Sequence, residues 1–156
     1  MDLKQLYQDI ILEHGKSPRN LGKCKGYSHD AKGYNPLCGD KVHIFLKLGS
    51  NKKVEGLTFE CDGCAISLAS ASIMTELVNG KSFEETREIM QAFLNMIKNN
   101  SEIESSYLDD DQKTKLMSLS GVKQFPMRVK CATLSWHTLV SAMEGKKKEV
   151  NTEAFV

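Results

Sequence analysis

The sequence lacks any long apolar run and any secretory leader pattern. None of its windows approaches the ~20 apolar residues that a membrane-spanning helix needs. Its first residues, MDLKQ, are not the basic stretch leading into an apolar core that marks a signal peptide. These two absences predict a cytoplasmic protein that does not insert into a membrane.

The chain also lacks a charge surplus and an even set of cysteines. Lysine and arginine number 21 against 20 acidic residues, so a net charge of +1 gives no reason to expect nucleic acid or an anionic membrane as partner. The 5 cysteines are an odd number, which a secreted disulfide framework disfavours. In a reducing compartment cysteines more often bind metal or react, so they become the candidates for function.

The length of the chain is that of one domain. At 156 residues it can bury roughly 70% of its unfolded surface, enough for a core without disulfides. We assign residues 1–145 to a single domain, with a polar insertion at residues 99–120, and residues 146–156 to a polar tail that needs no fixed place.

Apolar residues at spacings of three and four predict the helices. They indicate an N-terminal helix over residues 3–14, two successive helices over 65–78 and 82–98, and a C-terminal helix after Pro126, with its apolar stripe over 129–143 and its end at Gly145. The insertion has room for one short helix, around residues 112–119.

Strict alternation of apolar and polar residues predicts the strands. Residues 42–48 and 57–61 alternate on either side of a Gly-Ser-Asn-Lys turn, which indicates an antiparallel hairpin. A weaker strand is expected over residues 27–33. The fold class is therefore α+β, with a small antiparallel sheet of about three strands covered on one side by helices.

Ligand-type side chains recur where these elements begin or end. Cys38 and Asp40 flank Gly39 just before a strand, Cys64 lies between a strand and a helix, and Cys131 lies in the first turns of the last helix. Three thiolates and one carboxylate suit tetrahedral zinc, or the irons of a small iron–sulfur cluster. Around a divalent ion, three thiolates and one carboxylate would leave a surplus of negative charge.

Three cations stand beside these candidate ligands in the sequence. Lys41, Arg128 and Lys130 are close enough along the chain to offset the negative charge, but they could equally be surface residues.

Other interpretations of the cysteines stay open. Cys61 and Cys64 form a C-x-x-C pair, yet Cys61 shares the parity of the buried strand positions, so we interpret it as a core thiol rather than a redox partner or a ligand. A catalytic Cys–His pair would have to use His29, whose loop leads directly to Cys38. Cys24 has no partner at a useful spacing.

Four sequence segments together carry a family resemblance. They are the CGD motif at 38–40, GCAIS at 63–67, RVKC at 128–131 and EHGKSPRN at 13–20, in the right order across residues 3–143. In these segments the chain resembles the U-type proteins of iron–sulfur cluster assembly, which include IscU and the N-terminal domain of NifU. A lysine at 130, where the IscU branch has histidine, and the insertion make it most similar to the SufU branch.

The resemblance implies a set of roles. It implies zinc held by Cys38, Asp40, Cys64 and Cys131, with Cys38 accepting sulfur from a cysteine desulfurase and passing it to a downstream scaffold or apo-acceptor. Such a protein is a sulfurtransferase-like relay rather than a conventional turnover enzyme. The IscU alternative makes the same side chains a scaffold for a transient [2Fe-2S] cluster, and a third possibility is a binding module with structural zinc.

Overall fold

The computed structural model describes residues 2–99 and 101–154 and confirms the α+β fold. Helices pack on a small sheet, with one helix at the start of the chain and another near its end. The helices are α1 (Leu3–Lys16), α2 (Ala65–Val78), α3 (Phe83–Asn99), α4 (Asp110–Met117) and α5 (Pro126–Met143). The strands are β1 (His29–Asn35), β2 (Asp40–Leu48), β3 (Val54–Asp62) and β4 (Val150–Asn151).

The sheet is larger than the sequence predicted, because the tail contributes to it. The strand order is β3-β2-β1-β4, in which β1, β2 and β3 are antiparallel and β4 runs parallel to β1. Val150 aligns with Gly33 and Asn151 with Tyr34. The free edge of β1 offers unpaired backbone groups, and the tail pairs with them although it has few apolar residues.

The strand register determines where the candidate ligands meet. Asn35 at the end of β1 pairs with Asp40 at the start of β2, and Lys41 pairs with Asp62 at the end of β3. The β1–β2 turn therefore lies beside the junction between β3 and α2.

The inner face of the sheet is covered by α2 and α5. Alternate residues of the hairpin are buried against them, including Ile44, Leu46 and Phe59, each at most 1% exposed. Gly33 permits a close approach of α5, because a Cβ at that position would lie 2.2 Å from Thr138 Oγ1. The end of β1 is thereby held close to the helix that carries Cys131.

The predicted amphipathic face of α1 is less covered than expected. His14 is buried at the end of the helix, whereas Leu3 remains 59% exposed at its start. Gly15 lies against the first turn of α2, since its Cβ would be 3.7 Å from that of Ala65. Helix α1 is thus anchored by its C-terminal end.

The insertion forms the expected short helix and also adds to the core. It folds as α4, followed by a 3-10 helix over Ser118–Gln124. Ile103, Leu108, Leu116 and Leu119 are buried in the main core. The predicted limits of the insertion and of the domain stay predictions. Among the helices of residues 2–99 and 101–154, none combines the length and apolarity needed to cross a membrane.

Candidate metal centre

The β1–β2 turn presents one exposed thiol and one buried carboxylate. Gly39 has φ of 75°, a conformation that favours glycine, and its N–H donates to Asn35 O at 2.8 Å. Cys38 is exposed at this turn. Asp40 opens β2 with no exposed surface. Burying a carboxylate is costly unless it is hydrogen-bonded and paired, so Asp40 needs hydrogen-bond donors or a cation beside it.

Helix α5 brings a third ligand-type side chain to the turn. Cys131 is fully buried, and its Sγ lies 3.2 Å from that of Cys38. The ligand atoms of Cys38, Asp40 and Cys131 all lie within 4.8 Å of one another. Residues 38, 40 and 131, which the sequence picked out separately, are therefore brought together.

Cys64 lies next to this group at the start of α2. Its backbone N–H donates to Asp40 Oδ1 at 2.9 Å, while its Sγ accepts from Ser67 N at 3.5 Å as the N-cap of the helix. Gly63 makes room for this approach, because a Cβ there would be 2.6 Å from Asp40 Oδ1. Cys64 is a neighbour of Asp40 and Cys131. It is not one of the three residues whose ligand atoms all lie within 4.8 Å of one another.

The half-buried thiol of Cys64 and the buried thiol of Cys131 differ in how readily they lose a proton. A hydrogen bond from Cys131 lowers the pKa of Cys64 to about 6, helped by the backbone N–H of Ser67 at the helix N-terminus. The same hydrogen bond, followed by burial, raises the pKa of Cys131. Both effects favour the thiolate form at Cys64 over that at Cys131, and the thiolate is the form that binds metal.

The donor set fits a soft divalent metal. Sulfur ligands about 2.3 Å from a tetrahedral zinc lie about 3.8 Å apart, so the Cys38 and Cys131 sulfurs, 3.2 Å apart, would have to separate slightly to share the ion. The exposed Cys38 turn leaves room for such a movement. With the buried Asp40 carboxylate, these sulfurs form a group that could hold a cation.

Comparison with known proteins decides the family. A family model described as the NifU-like N terminal domain matches residues 6–143. The chain belongs to this family. The resemblance to U-type proteins found in the sequence is thereby confirmed.

Relatives in this family carry two kinds of name. The chain is 39% identical over 141 residues to the zinc-dependent sulfurtransferase SufU of Bacillus subtilis (strain 168), covering 88% of this chain and 89% of that protein. It is 34% identical over 142 residues to the iron-sulfur cluster assembly scaffold protein IscU of Streptococcus pyogenes serotype M1, covering 91% and 85%.

A solved structure in the same family has the same architecture. A crystal structure of FiSufU from Fervidobacterium islandicum AW-1, a candidate assembly scaffold for the SUF system, superposes with a TM-score of 0.76 at 32% identity. The match covers 89% of this chain and 97% of that one.

Two residues of the centre in this NifU-like domain were not assigned a role from the sequence. Asn35 is fully buried and its Nδ2 donates to Asp40 Oδ2 at 3.2 Å and to Cys131 Sγ at 3.5 Å. Thr152, also fully buried, donates from Oγ1 to Asn35 Oδ1 at 2.9 Å. The position of Asn35 just before the CGD motif was the only sequence signal that could have linked it to the site, and no sequence signal linked Thr152 to it.

The three predicted supporting cations have other neighbours. The Lys41 ammonium lies 5.8 Å from the centre of the Tyr34 ring, and Lys130 forms an ion pair of 3.6 Å with Glu153. Arg128 lines a groove between α1 and the 3-10 helix. Their role in offsetting the ligand charge stays a prediction.

The competing interpretations of the cysteines find little support. Burial raises the pKa of the Cys61 thiol to about 11, and its sulfur lies 3.7 Å from Ser67 Oγ, as expected for a core thiol rather than a redox nucleophile. His29 begins β1, about 20 Å along an extended strand from Asn35, which separates it from Cys38.

Proposed function

We propose that the chain works in iron–sulfur cluster assembly as a zinc-dependent sulfur acceptor, taking persulfide sulfur from a cysteine desulfurase onto Cys38. The observation that carries this proposal is the contrast within one cluster. Cys38 is exposed on a glycine turn, yet its sulfur lies 3.2 Å from that of the buried Cys131. A ligand that is reachable from solvent can leave the metal and react, while buried ligands stay.

The sulfur transfer is an exchange at a sulfur–sulfur bond. The Cys38 thiolate attacks the outer sulfur of the cysteine persulfide on the desulfurase, and a new S–S bond forms at Cys38. The S–S bond of the desulfurase breaks, and its cysteine leaves as a thiolate with the electron pair. The outer sulfur keeps its proton, so the step consumes no oxidant or reductant.

The other three side chains serve as anchors in this proposal. When bound, zinc would keep its thiolate ligands deprotonated and shielded until one is released. Cys131 lies within α5, Cys64 caps the N-terminus of α2 and Asp40 begins β2, so each is held by regular structure. Cys38 lies on the glycine turn and has the most freedom to move.

A second candidate function uses the same side chains as a scaffold for a transient [2Fe-2S] cluster. Its support is the 34% identity to a protein named as an IscU scaffold. Three cysteines and an aspartate can ligate iron as well as zinc. The similarity to a zinc-dependent sulfurtransferase and the lysine at position 130 favour the sulfur-acceptor proposal.

The test of the proposal is stimulation of a desulfurase. Purified wild type, Cys38→Ser and Cys24→Ser are added separately to a cysteine desulfurase with cysteine and a thiol reductant, and sulfide release is measured. We expect stimulation by wild type and Cys24→Ser, and none by Cys38→Ser. Equal stimulation by Cys38→Ser would refute the role of Cys38 and favour a binding module with structural zinc.

The scaffold alternative has its own test. Anaerobic reconstitution with iron and sulfide is followed by transfer to an apo-acceptor protein. The sulfur-acceptor proposal predicts that about one zinc per chain remains bound and that no transferable cluster forms. A cluster that forms and is delivered would establish the scaffold function instead.

A further inference from the structure

The C-terminal segment reaches the candidate metal centre from the edge of the sheet. Because Val150 and Asn151 align with Gly33 and Tyr34, the next residue, Thr152, lies beside Asn35. Thr152 is fully buried, although it stands in a polar tail. Residues 150–152 are thus packed beside the end of β1, next to residues that surround the ligands.

A hydrogen-bond chain runs from this segment to two of the candidate ligands. Thr152 Oγ1 donates to Asn35 Oδ1 at 2.9 Å. The two hydrogens of Asn35 Nδ2 point to Asp40 Oδ2 at 3.2 Å and to Cys131 Sγ at 3.5 Å. All four groups are buried, so none of these bonds competes with bulk water.

The Asp40 carboxylate selects the direction of the amide, and the threonine hydroxyl holds it there. An asparagine amide can turn over and exchange its oxygen for its nitrogen with little change in shape. In the observed direction both N–H groups of Asn35 point to Asp40 and Cys131, and Oδ1 accepts the proton from Thr152. Turned over, the amide would present an oxygen to a carboxylate and a sulfur, which repel it.

We infer that Thr152 and Asn35 are positioning residues of the metal centre, and that the C-terminal segment is part of the site rather than a tail. Asn35 fixes the orientation of Asp40 and Cys131 for metal binding, and Thr152 fixes Asn35. The inference rests on the metal centre of the proposed function. It adds that metal retention depends on a hydroxyl 117 residues from the asparagine it contacts.

The test compares zinc release from matched variants. Thr152→Val removes the hydroxyl and keeps the shape, Thr152→Ser keeps the hydroxyl, and Asn35→Asp replaces the donor nitrogen by oxygen. Thr138→Val is the control: Thr138 is equally buried beside β1, but it donates to Leu134 O within its own helix. Zinc-loaded protein is mixed with a chromogenic chelator, and the rate of zinc loss is recorded along with the melting temperature.

Partners that orient metal ligands typically change affinity by about 10–100-fold when they are removed. We expect zinc loss to be about tenfold faster in Thr152→Val, faster still in Asn35→Asp, and close to wild type in Thr152→Ser and Thr138→Val. The absorption of the cobalt-substituted protein should also shift in Thr152→Val and not in Thr138→Val, because the ligand orientation changes in only one of them.

Three results would overturn the inference. Thr152→Val could release zinc at the wild-type rate, Thr152→Ser could release it as fast as Thr152→Val, or Thr138→Val could accelerate release equally. The last would show a general loss of stability. Failure of the proposed function looks different, because a wild-type chain that binds neither zinc nor a cluster would remove the metal centre itself and this inference with it.

Discussion

Two buried polar clusters lie along helix α2, and they differ in the chemistry of the side chains that converge. At the middle of the helix, Ser70 Oγ donates to Ala132 O at 2.5 Å and accepts from Trp136 Nε1 at 3.2 Å. Ser72 Oγ accepts from Arg19 N at 2.8 Å and contacts His14 Nδ1 at 2.7 Å. We call these contacts the closed cluster, because both hydroxyls are buried and each has two hydrogen-bond partners.

The candidate metal centre, at the N-terminus of the same helix, is the open cluster, because it reaches the surface at Cys38. Its polar atoms also have hydrogen-bond partners: Asp40 accepts from Cys64 N and Asn35 Nδ2, and Cys131 Sγ lies 3.2 Å from Cys38 Sγ. Buried polar groups that satisfy one another stabilise a fold. The open cluster differs in that thiols and a carboxylate, which can bind a soft cation, converge within 4.8 Å of one another.

The largest expected effect is loss of the metal on removal of a buried ligand. Cys131→Ala should lower the zinc content from about one per chain to nearly zero, because it removes the most buried sulfur ligand of the proposed site. Cys61→Ala is the matched control, since that thiol packs beside Ser67. The zinc content is measured by metal analysis of freshly purified protein. If Cys131→Ala retained its zinc, Cys131 would not be a metal ligand.

A smaller effect is expected from removing one charge and keeping the shape. Asp40→Asn should weaken zinc binding by more than about 100-fold, because losing even a partner that orients a ligand costs about 10–100-fold. Asp62→Asn is the control, an exposed aspartate at the end of β3. Chelator competition measures the affinity. Equal weakening by both substitutions would mean that general negative charge, and not ligation, attracts the metal.

The closed cluster should respond in stability and not in metal content. Ser70→Ala leaves Trp136 Nε1 and Ala132 O without their partner, which should destabilise the fold by about 1–3 kcal/mol. Denaturant unfolding of the zinc-bound protein measures this change. A Ser70→Ala chain that is fully stable but depleted of zinc would reverse the assignment of the two clusters.

The smallest expected effect is a pH dependence from the closed cluster. Ser72 Oγ accepts from Arg19 N and lies 2.7 Å from His14 Nδ1, so the imidazole is held in a buried contact. Burial, followed by the charge of Arg19, lowers the pKa of His14. The unfolded chain therefore binds the proton more readily, and stability is lost as pH falls below the unfolded pKa of about 6.5.

The slope of that dependence has an upper limit of about 1.4 kcal/mol per pH unit for one proton. His14→Gln, which keeps a side chain able to hydrogen-bond with Ser72 but does not titrate, should flatten the wild-type curve below pH 6.5 at matched zinc content. Unfolding at a series of pH values gives the comparison. Parallel curves for the two proteins would show that His14 does not contribute.

Local patterns were sufficient to predict most elements and part of the site. Apolar spacing predicted α2 with its observed bounds, and Ser82 with Glu85 predicted the start of α3, where the two side chains form the reciprocal cap. Cys38 and Asp40 could be singled out because ligand-type residues share one glycine turn. These signals lie within a few neighbouring residues.

The partners of the buried polar groups could not be predicted in this way. The small residues of α2 indicated close packing, but the contact of Ser72 with His14 joins residues 58 apart, and that of Ser70 with Ala132 joins residues 62 apart. The tail gave no apolar pattern, and its place depends on the free edge of β1. Such pairings depend on the whole fold rather than on local sequence.

The central claim, that Cys38 accepts sulfur, is tested most directly by locating the persulfide. The zinc-bound chain is incubated with a cysteine desulfurase and cysteine, alkylated and digested, and the additional sulfur is assigned among its 5 cysteines by mass spectrometry. We predict one extra sulfur atom on Cys38 and none on the buried Cys131. Sulfur found on Cys24 or Cys61, with Cys38 unmodified, would contradict the account.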